Sequence, residues 1–336
     1  LSELHLWDIG KGNLYDLKLT VEKDGKTVDV VDSYFGMRSV CLKNGKFYLN
    51  GRSVFGRFIL DQGFYKDGIY TAPDVSRFDE DIRLATELGY NGARFHEKVF
   101  EPLAIYAADK AGYMIWDEYP DWNVHMDDFT CLDEIIPDWL SEIRRDYNRP
   151  SIIGWCCLNE TWDRGARRLR QDDRLLDIIY RVVKSQDNMR PVIDTSGNYH
   201  VVTDTFDIHW YEQDPEIFRE KYAEAEGVYV NHEDRQQYNG TPYWVSEYGG
   251  IKMPDDESGW GYGNAPKSRE EFLQRYKGLT DVLLDNEKCW ALCYTQLYDV
   301  EQEVNGLYRY DRTDKFTAEE KAFLKSVMTR KAAVED

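Results

Sequence analysis

Two short stretches hold residues that could act on one substrate: Asn159-Glu160 within "WCCLNETW" (155–162), and Glu247 within "WVSEYGG" (244–250). Each glutamate follows an apolar run without charge, as at the end of a buried strand. Two carboxylates facing each other at such a rim suit hydrolysis of a glycosidic bond. One protonates the leaving oxygen and the other attacks the anomeric carbon; the retaining version needs them ~5–5.5 Å apart. The same pair could instead be rim carboxylates satisfied by arginines. Periodicity alone does not separate the two readings.

These glutamates need a frame. Apolar segments at 53–60, 91–95, 113–118, 151–160, 191–195, 206–211, 243–247 and 290–296 read as eight strands. Helical patterns intervene at 71–90, 102–112, 132–147, 174–187 and 268–284, with a last one at 317–329. In the first, Thr71 is the expected N-cap, with Pro73 in the opening turn and Gly89 as the stop. The strands are continuously apolar, as parallel strands buried on both faces should be. The pattern predicts an α/β fold, a (β/α)8 TIM barrel, whose strand C-termini carry the active site. Arg94, His96, Asp117, Glu118, Asn159, Glu160, His209, Tyr211, Glu247, Tyr294 and Gln296 fall at those ends. Ahead of the barrel lies a short β-rich segment. A hairpin turns at Asp24-Gly25, and further turns fall at Asn44-Gly45 and Asn50-Gly51. The expected division is 1–42 and 43–336. The opening segment is too short to stand alone and should pack on the barrel.

The 336 residues carry 62 acidic and 42 basic side chains, a net charge of -20. That excludes nucleic acid and an anionic membrane surface as partners. No run approaches a membrane span. The six cysteines form no zinc-ribbon spacing and read as small buried hydrophobes in a reducing compartment. Cytoplasm is the expected location, with the periplasm as alternative. No cofactor and no metal is expected, because a metal-dependent hydrolase needs ligand clusters at strand ends and only His96 and His209 are available there. The expected partner is a carbohydrate substrate, and a homo-oligomer is compatible with the sequence. His5, His125, His200 and His232 are given no role.

"LNETW" and "SEYGG" resemble the signatures of glycoside hydrolase family 2, of the β-galactosidase and β-glucuronidase kind. "YFGMRSV", "FYLNGRSVFGRFILDQGFY", "LGYNGARFHEKVFEP", "YMIWDEYP", "RPVIDTSG" and "EQEVNGLYRYDR" continue the likeness over roughly 30–330. The resemblance implies a retaining exo-acting β-glycosidase with Glu160 as acid/base and Glu247 as nucleophile. It implies that Asn159 bonds the sugar's 2-hydroxyl. It makes 1–42 the last strands of an immunoglobulin-like domain and implies that a sugar-binding jelly roll found in the family precedes it in the full-length protein.

Around that pair, Arg94 and Tyr211 are the expected donors keeping Glu247 ionised. Burial beside Trp155 and Trp162 would raise Glu160's pKa, with core packing the favoured role of Trp155. His96 and His209 would touch sugar hydroxyls. Glu118 either orients Arg94 or meets substrate. Family glucuronidases carry Asn-x-Lys where this chain has Glu303-Val304-Asn305. A glutamate there repels a uronate, which favours neutral sugars, galactosides first. Thr295 also stands where many relatives place a tryptophan. The alternatives are a mannosidase or glucuronidase specificity, or a non-catalytic carbohydrate-binding barrel.

Overall fold

The computed structural model describes residues 3–122, 124–161 and 171–335. Strands β1 (Leu14–Lys23) and β2 (Lys26–Gly36) form an antiparallel ribbon. Strands β3 (Val40–Lys43), β4 (Lys46–Leu49) and β5 (Arg52–Val54) form a meander. All three turns come from the expected pairs. Asp24, Asn44 and Asn50 have φ of 52°, 53° and 53°, and each is followed by a glycine in the same left-handed region. Two consecutive residues at positive φ are what a tight two-residue hairpin requires. The two sheets part between residues 36 and 40, so a boundary after 42 falls inside the β3–β4 hairpin.

The barrel strands are β6 (Gly56–Asp61), β7 (Gly92–Phe95), β8 (Met114–Glu118), β9 (Ile152–Cys156), β10 (Val192–Ile193), β11 (Phe206–His209), β12 (Tyr243–Gly249) and β13 (Cys289–Thr295). They pair in parallel in the order β10-β9-β8-β7-β6-β13-β12-β11. This is the predicted TIM barrel, with every strand residue buried. Phe58, Trp116, Trp244 and Trp290 plug its interior, Trp244 lying 5.3 Å from both other indoles. Small residues make room for them: a Cβ at Gly154 would lie 2.5 Å from the Trp116 ring, and one at Gly56 2.4 Å from Phe58. The β3–β5 meander packs on the same plug, with Phe47 stacked 5.4 Å from Trp290.

β10 and β11 share no strand ladder, and side chains close the seam between them. Ser196 Oγ and Gly197 N both donate to Asp207 Oδ2, at 2.7 and 2.9 Å. His200 lies between Asp194 (2.7 Å) and Asp207 (3.2 Å). Burial would discharge this histidine, but the two aspartates override it and push its pKa up to about 10. A loop histidine given no role from sequence thus fastens the barrel.

The helices are α1 (Ser76–Glu87), α2 (Pro102–Ala111), α3 (Leu132–Asp146), α4 (Asp173–Gln186), α5 (Pro215–Glu224), α6 (Arg269–Leu284) and α7 (Ala318–Met328). Two differ from expectation. α1 begins at Ser76, so Thr71 is no N-cap; Asp74 Oδ1 accepts from Ser76 N at 2.8 Å and starts the turn instead. α5 is additional to the expected helices, although Asp214 caps it and Pro215 opens it. No described helix is long and apolar enough to cross a membrane.

The ribbon packs on the barrel only at its base. Tyr34 donates to Asp109 at 2.7 Å and Arg38 Nε to Pro150 O at 2.8 Å. The segment packs on the barrel as expected, but beyond Tyr34 both strands are mostly exposed. No described surface lies against it there. Cys41 is exposed and Cys131 half-buried, so four of the six free cysteines fit the buried reading.

Asp117 of β8 faces outward, away from Trp116 and Glu118, and meets Glu142 of α3. No hydrogen-bond donor reaches the four oxygens of these two carboxyls. Burial pushes both pKa values far up; Asp146 raises that of Asp117 further and Asp117 raises that of Glu142, so the Glu142 carboxyl keeps its proton and shares it with Asp117. In the unfolded chain both ionise near pH ~4. Folding therefore takes up protons above that pH, and stability falls as pH rises. Asp117→Asn is expected to flatten this slope. Its thermal midpoint should decline less between about pH 5 and 8 than that of the native chain; parallel declines would refute the shared proton.

Candidate active site

Polar side chains converge at the C-terminal ends of the barrel strands. Arg94, on β7, is the hub, with no exposed surface. Its Nη1 donates to Glu247 Oε1 at 3.0 Å and to Ser246 O at 2.8 Å, and its Nη2 to Asn159 Oδ1 at 3.1 Å. Its Nε donates to Glu118 Oε2, and Glu118 Oε1 pairs with His96 Nδ1 at 2.7 Å. One guanidinium therefore ties strands two, three, four and seven together. Its planar donor fork suits several fixed carboxylates better than an ammonium would.

Glu247, on β12, is 4% exposed. Burial alone would raise its pKa. His209, Arg94 and His96, together with a hydrogen bond from the Tyr211 hydroxyl, override this and hold it down at about 2. Glu247 thus stays ionised through the physiological range. Glu160 follows β9 with φ of 48°, which turns its side chain into the barrel mouth. That side chain is 23% exposed and meets His209 Nδ1 at 2.7 Å. His209 Nε2 lies 3.4 Å from Glu247 Oε1, so the imidazole bridges both glutamates. Burial opposes charge on His209, and Glu247 and Glu160 reverse the effect and raise its pKa. Among the described residues, Glu160, His209 and Glu247 are also the one group whose ligand atoms, all within 4.8 Å of one another, could hold a metal ion.

From sequence Arg94 is the expected donor to Glu247, and Glu118 either orients Arg94 or meets substrate. Their side chains are 0% and 1% exposed, so they stand behind the pocket and position others. Asn159 has its Oδ1 engaged by Arg94 and its N bonded to Asp121 Oδ1 at 3.1 Å, which leaves its amide NH2 for a ligand. His96 and His209 remain at the pocket floor with a few per cent exposed. Trp155 is core: its Nε1 donates to Asp187 at 3.0 Å. Trp162 lies outside the described residues.

Sequence reasoning missed Tyr262, whose ring stacks on Tyr211 at 3.4 Å and 5°. It also missed Gln62, which donates to Gln296 Oε1 at 2.7 Å near Glu303. The alternation of glycine and aromatic residues in 259–263 was the available signal for Tyr262.

An eight-stranded parallel barrel with an ionised, donor-held carboxylate on strand seven and an accessible one after strand four is the arrangement that glycosidase chemistry on a TIM barrel requires. Comparison narrows it. The glycosyl hydrolases family 2 TIM barrel domain matches residues 40–275, and a second glycosyl hydrolases family 2 segment matches residues 1–38. The chain belongs to glycosyl hydrolases family 2.

A putative beta-glucuronidase of Formosa agariphila is 31% identical over 47% of this chain and 19% of its own length. A beta-glucuronidase of Streptococcus agalactiae is 23% identical over 98% of this chain and 59% of its own length. A beta-galactosidase of Thermoanaerobacterium thermosulfurigenes is 27% identical over 87% of this chain and 38% of its own. Among solved structures, Bifidobacterium dentium beta-glucuronidase, complexed with coumarin-3-O-glucuronide, superposes with a TM-score of 0.80 at 19% identity, covering 97% of this chain and 55% of that one. The chain spans from about a fifth to three fifths of the length of these relatives.

Proposed function

We propose that the chain carries the site of a retaining, exo-acting β-glycosidase. The observation that supports it is the pairing of Glu247, held ionised by Arg94, His209 and Tyr211, with Glu160, an oxygen of which lies within 4.8 Å of one on Glu247. An oxygen-to-oxygen approach of that size is compatible with the ~5–5.5 Å carboxyl separation of retaining enzymes. Glu247 attacks the anomeric carbon as the bond to the leaving oxygen breaks, and Glu160 gives that oxygen its proton. Glu160 then takes a proton from water, which attacks the same carbon and frees Glu247. Asn159, fixed by Arg94 through its carbonyl, offers its NH2 to the sugar's 2-hydroxyl. A contact there strengthens as positive charge grows on the ring.

For the sugar we favour a neutral β-glycoside, galactosides first. Glu303 supports this. It receives hydrogen bonds from Asn305 Nδ2 (3.1 Å) and Gln62 Nε2 (3.5 Å), and no cation pairs with it among the described contacts. A uronate beside it would meet like charge, a mismatch that costs several kcal/mol. The second reading, a uronide, is favoured by relatives named beta-glucuronidase. A panel of aryl β-glycosides separates these readings and tests the activity itself, on this chain and on a form extended by the family's preceding domains. Galactosides should be cleaved fastest, and Glu303→Lys should shift the preference toward glucuronides by at least about tenfold. Native cleavage of glucuronides ahead of galactosides would reject the neutral-sugar reading. No turnover of any glycoside by either form would reject the glycosidase reading.

A further inference from the structure

The loop after β12 carries Gly259-Trp260-Gly261-Tyr262-Gly263, and each glycine is required by its surroundings. A Cβ at Gly259 would lie 2.1 Å from Gln302 O, and one at Gly261 2.7 Å from Lys252 Cβ. Gly263 has φ of +63°, and a Cβ there would lie 2.4 Å from Gln213 Cγ. The backbone is fastened as well. Trp260 N donates to Gln302 O, Val304 N to Trp260 O and Tyr262 N to Gly250 O, each at 2.9 Å.

This rigid loop sets a file of rings leading outward from the carboxylates. Tyr211 bonds Glu247, and Tyr262 stacks on Tyr211. Tyr262 thus stands one ring beyond the phenol that bonds Glu247, at the pocket wall. Trp260 meets the edge of Tyr262, centroids 5.5 Å apart at 82°. Its indole is 43% exposed. Single exposed aromatics are ordinary on protein surfaces. Here, however, the backbone that carries the indole is bonded on both sides, and the ring continues a file that begins at Glu247. A rigid aromatic face presents large contact area while losing little conformational freedom on binding.

We propose that Trp260 is the platform for the leaving group, the first sugar or aryl ring beyond the scissile oxygen, whose flat face stacks on the indole. The proposal rests on the glycosidase reading and adds to it the contact that selects the leaving group. A sugar face and an aryl face share the needed chemistry, a flat, weakly polar ring.

The test compares the full chain with Trp260→Ala and Trp260→Phe on three substrates sharing one glycone: a glycosyl fluoride, a p-nitrophenyl glycoside and a β-linked disaccharide. Fluoride leaves nothing to stack. The ratio of kcat/KM for either ring-bearing substrate to that for the fluoride should fall about tenfold in Trp260→Ala and recover in Trp260→Phe. A fall for one ring type alone assigns the platform to sugars or to aryl groups. An unchanged ratio for both overturns the proposal. If neither the native chain nor the extended form cleaves any of the three, the glycosidase reading fails, and calorimetry still decides the platform. The native chain should bind p-nitrophenyl galactoside more tightly than galactose, and Trp260→Ala should lose most of that difference. Equal affinities in the native chain, or a difference that survives in Trp260→Ala, overturns the platform.

Discussion

Glu247→Ala is expected to abolish turnover of every glycoside alike, by on the order of 10⁴-fold or more, because it removes the atom that forms the covalent bond to the sugar. The loss should not depend on the leaving group, since no later step is reached. Arg94 and Tyr211 both donate to this carboxylate, so the alanine variant also strands buried donors. Glu247→Gln keeps its oxygen as acceptor for Arg94 and turns its NH2 toward the Tyr211 hydroxyl, which can accept, and so separates chemistry from folding. It should melt close to the native chain while losing comparable activity. In the alanine variant the vacated space admits a small anion such as azide. Azide should attack from the face Glu247 occupied and give a glycosyl azide of inverted configuration, read by NMR. Retention of more than about a hundredth of native kcat by Glu247→Gln would remove the nucleophile role.

Glu160→Ala should behave differently, and the difference is what identifies the acid/base. An aryl leaving group that departs readily as an anion hardly needs a proton, so its glycosylation step should survive. An alkyl glycoside should lose the ~10²–10⁴-fold that general acid catalysis supplies. The second step lacks its base with either substrate. A glycosyl-enzyme on Glu247 should therefore accumulate as a burst with the aryl glycoside, and azide should discharge it as a product of retained configuration. His209 Nδ1 loses its 2.7 Å partner in this variant, but its other nitrogen still faces Glu247, so the pocket floor keeps one anchor. Pre-steady-state kinetics with one good and one poor leaving group makes the measurement. Equal losses on both, without a burst, would take the acid/base role from Glu160.

Much of this protein was legible residue by residue. Asp24-Gly25, Asn44-Gly45 and Asn50-Gly51 marked their turns because two successive residues at positive φ are a local backbone requirement. The eight strands were readable because strands covered on both faces carry unbroken apolar runs. Glu160 and Glu247 stood out because each ends such a run. Signals of this kind survive in one dimension because sequence neighbours create them. A capping signal between competing polar residues is weaker, and so the sequence points to Thr71 where Asp74 starts the turn.

What the tertiary structure decided is who meets whom. Arg94 and Glu247 lie 153 positions apart and come within 3.0 Å only when the barrel closes. The same closure buries Arg94 and Glu118 completely, so that both stand as supports behind the pocket. It sets His209 between two carboxylates and His200 between two others. No local pattern announces these contacts, because each depends on which side chains from distant strands share one low-dielectric space. That sharing, rather than any residue's own chemistry, holds Glu247 at about 2 and leaves Glu160 facing the barrel mouth.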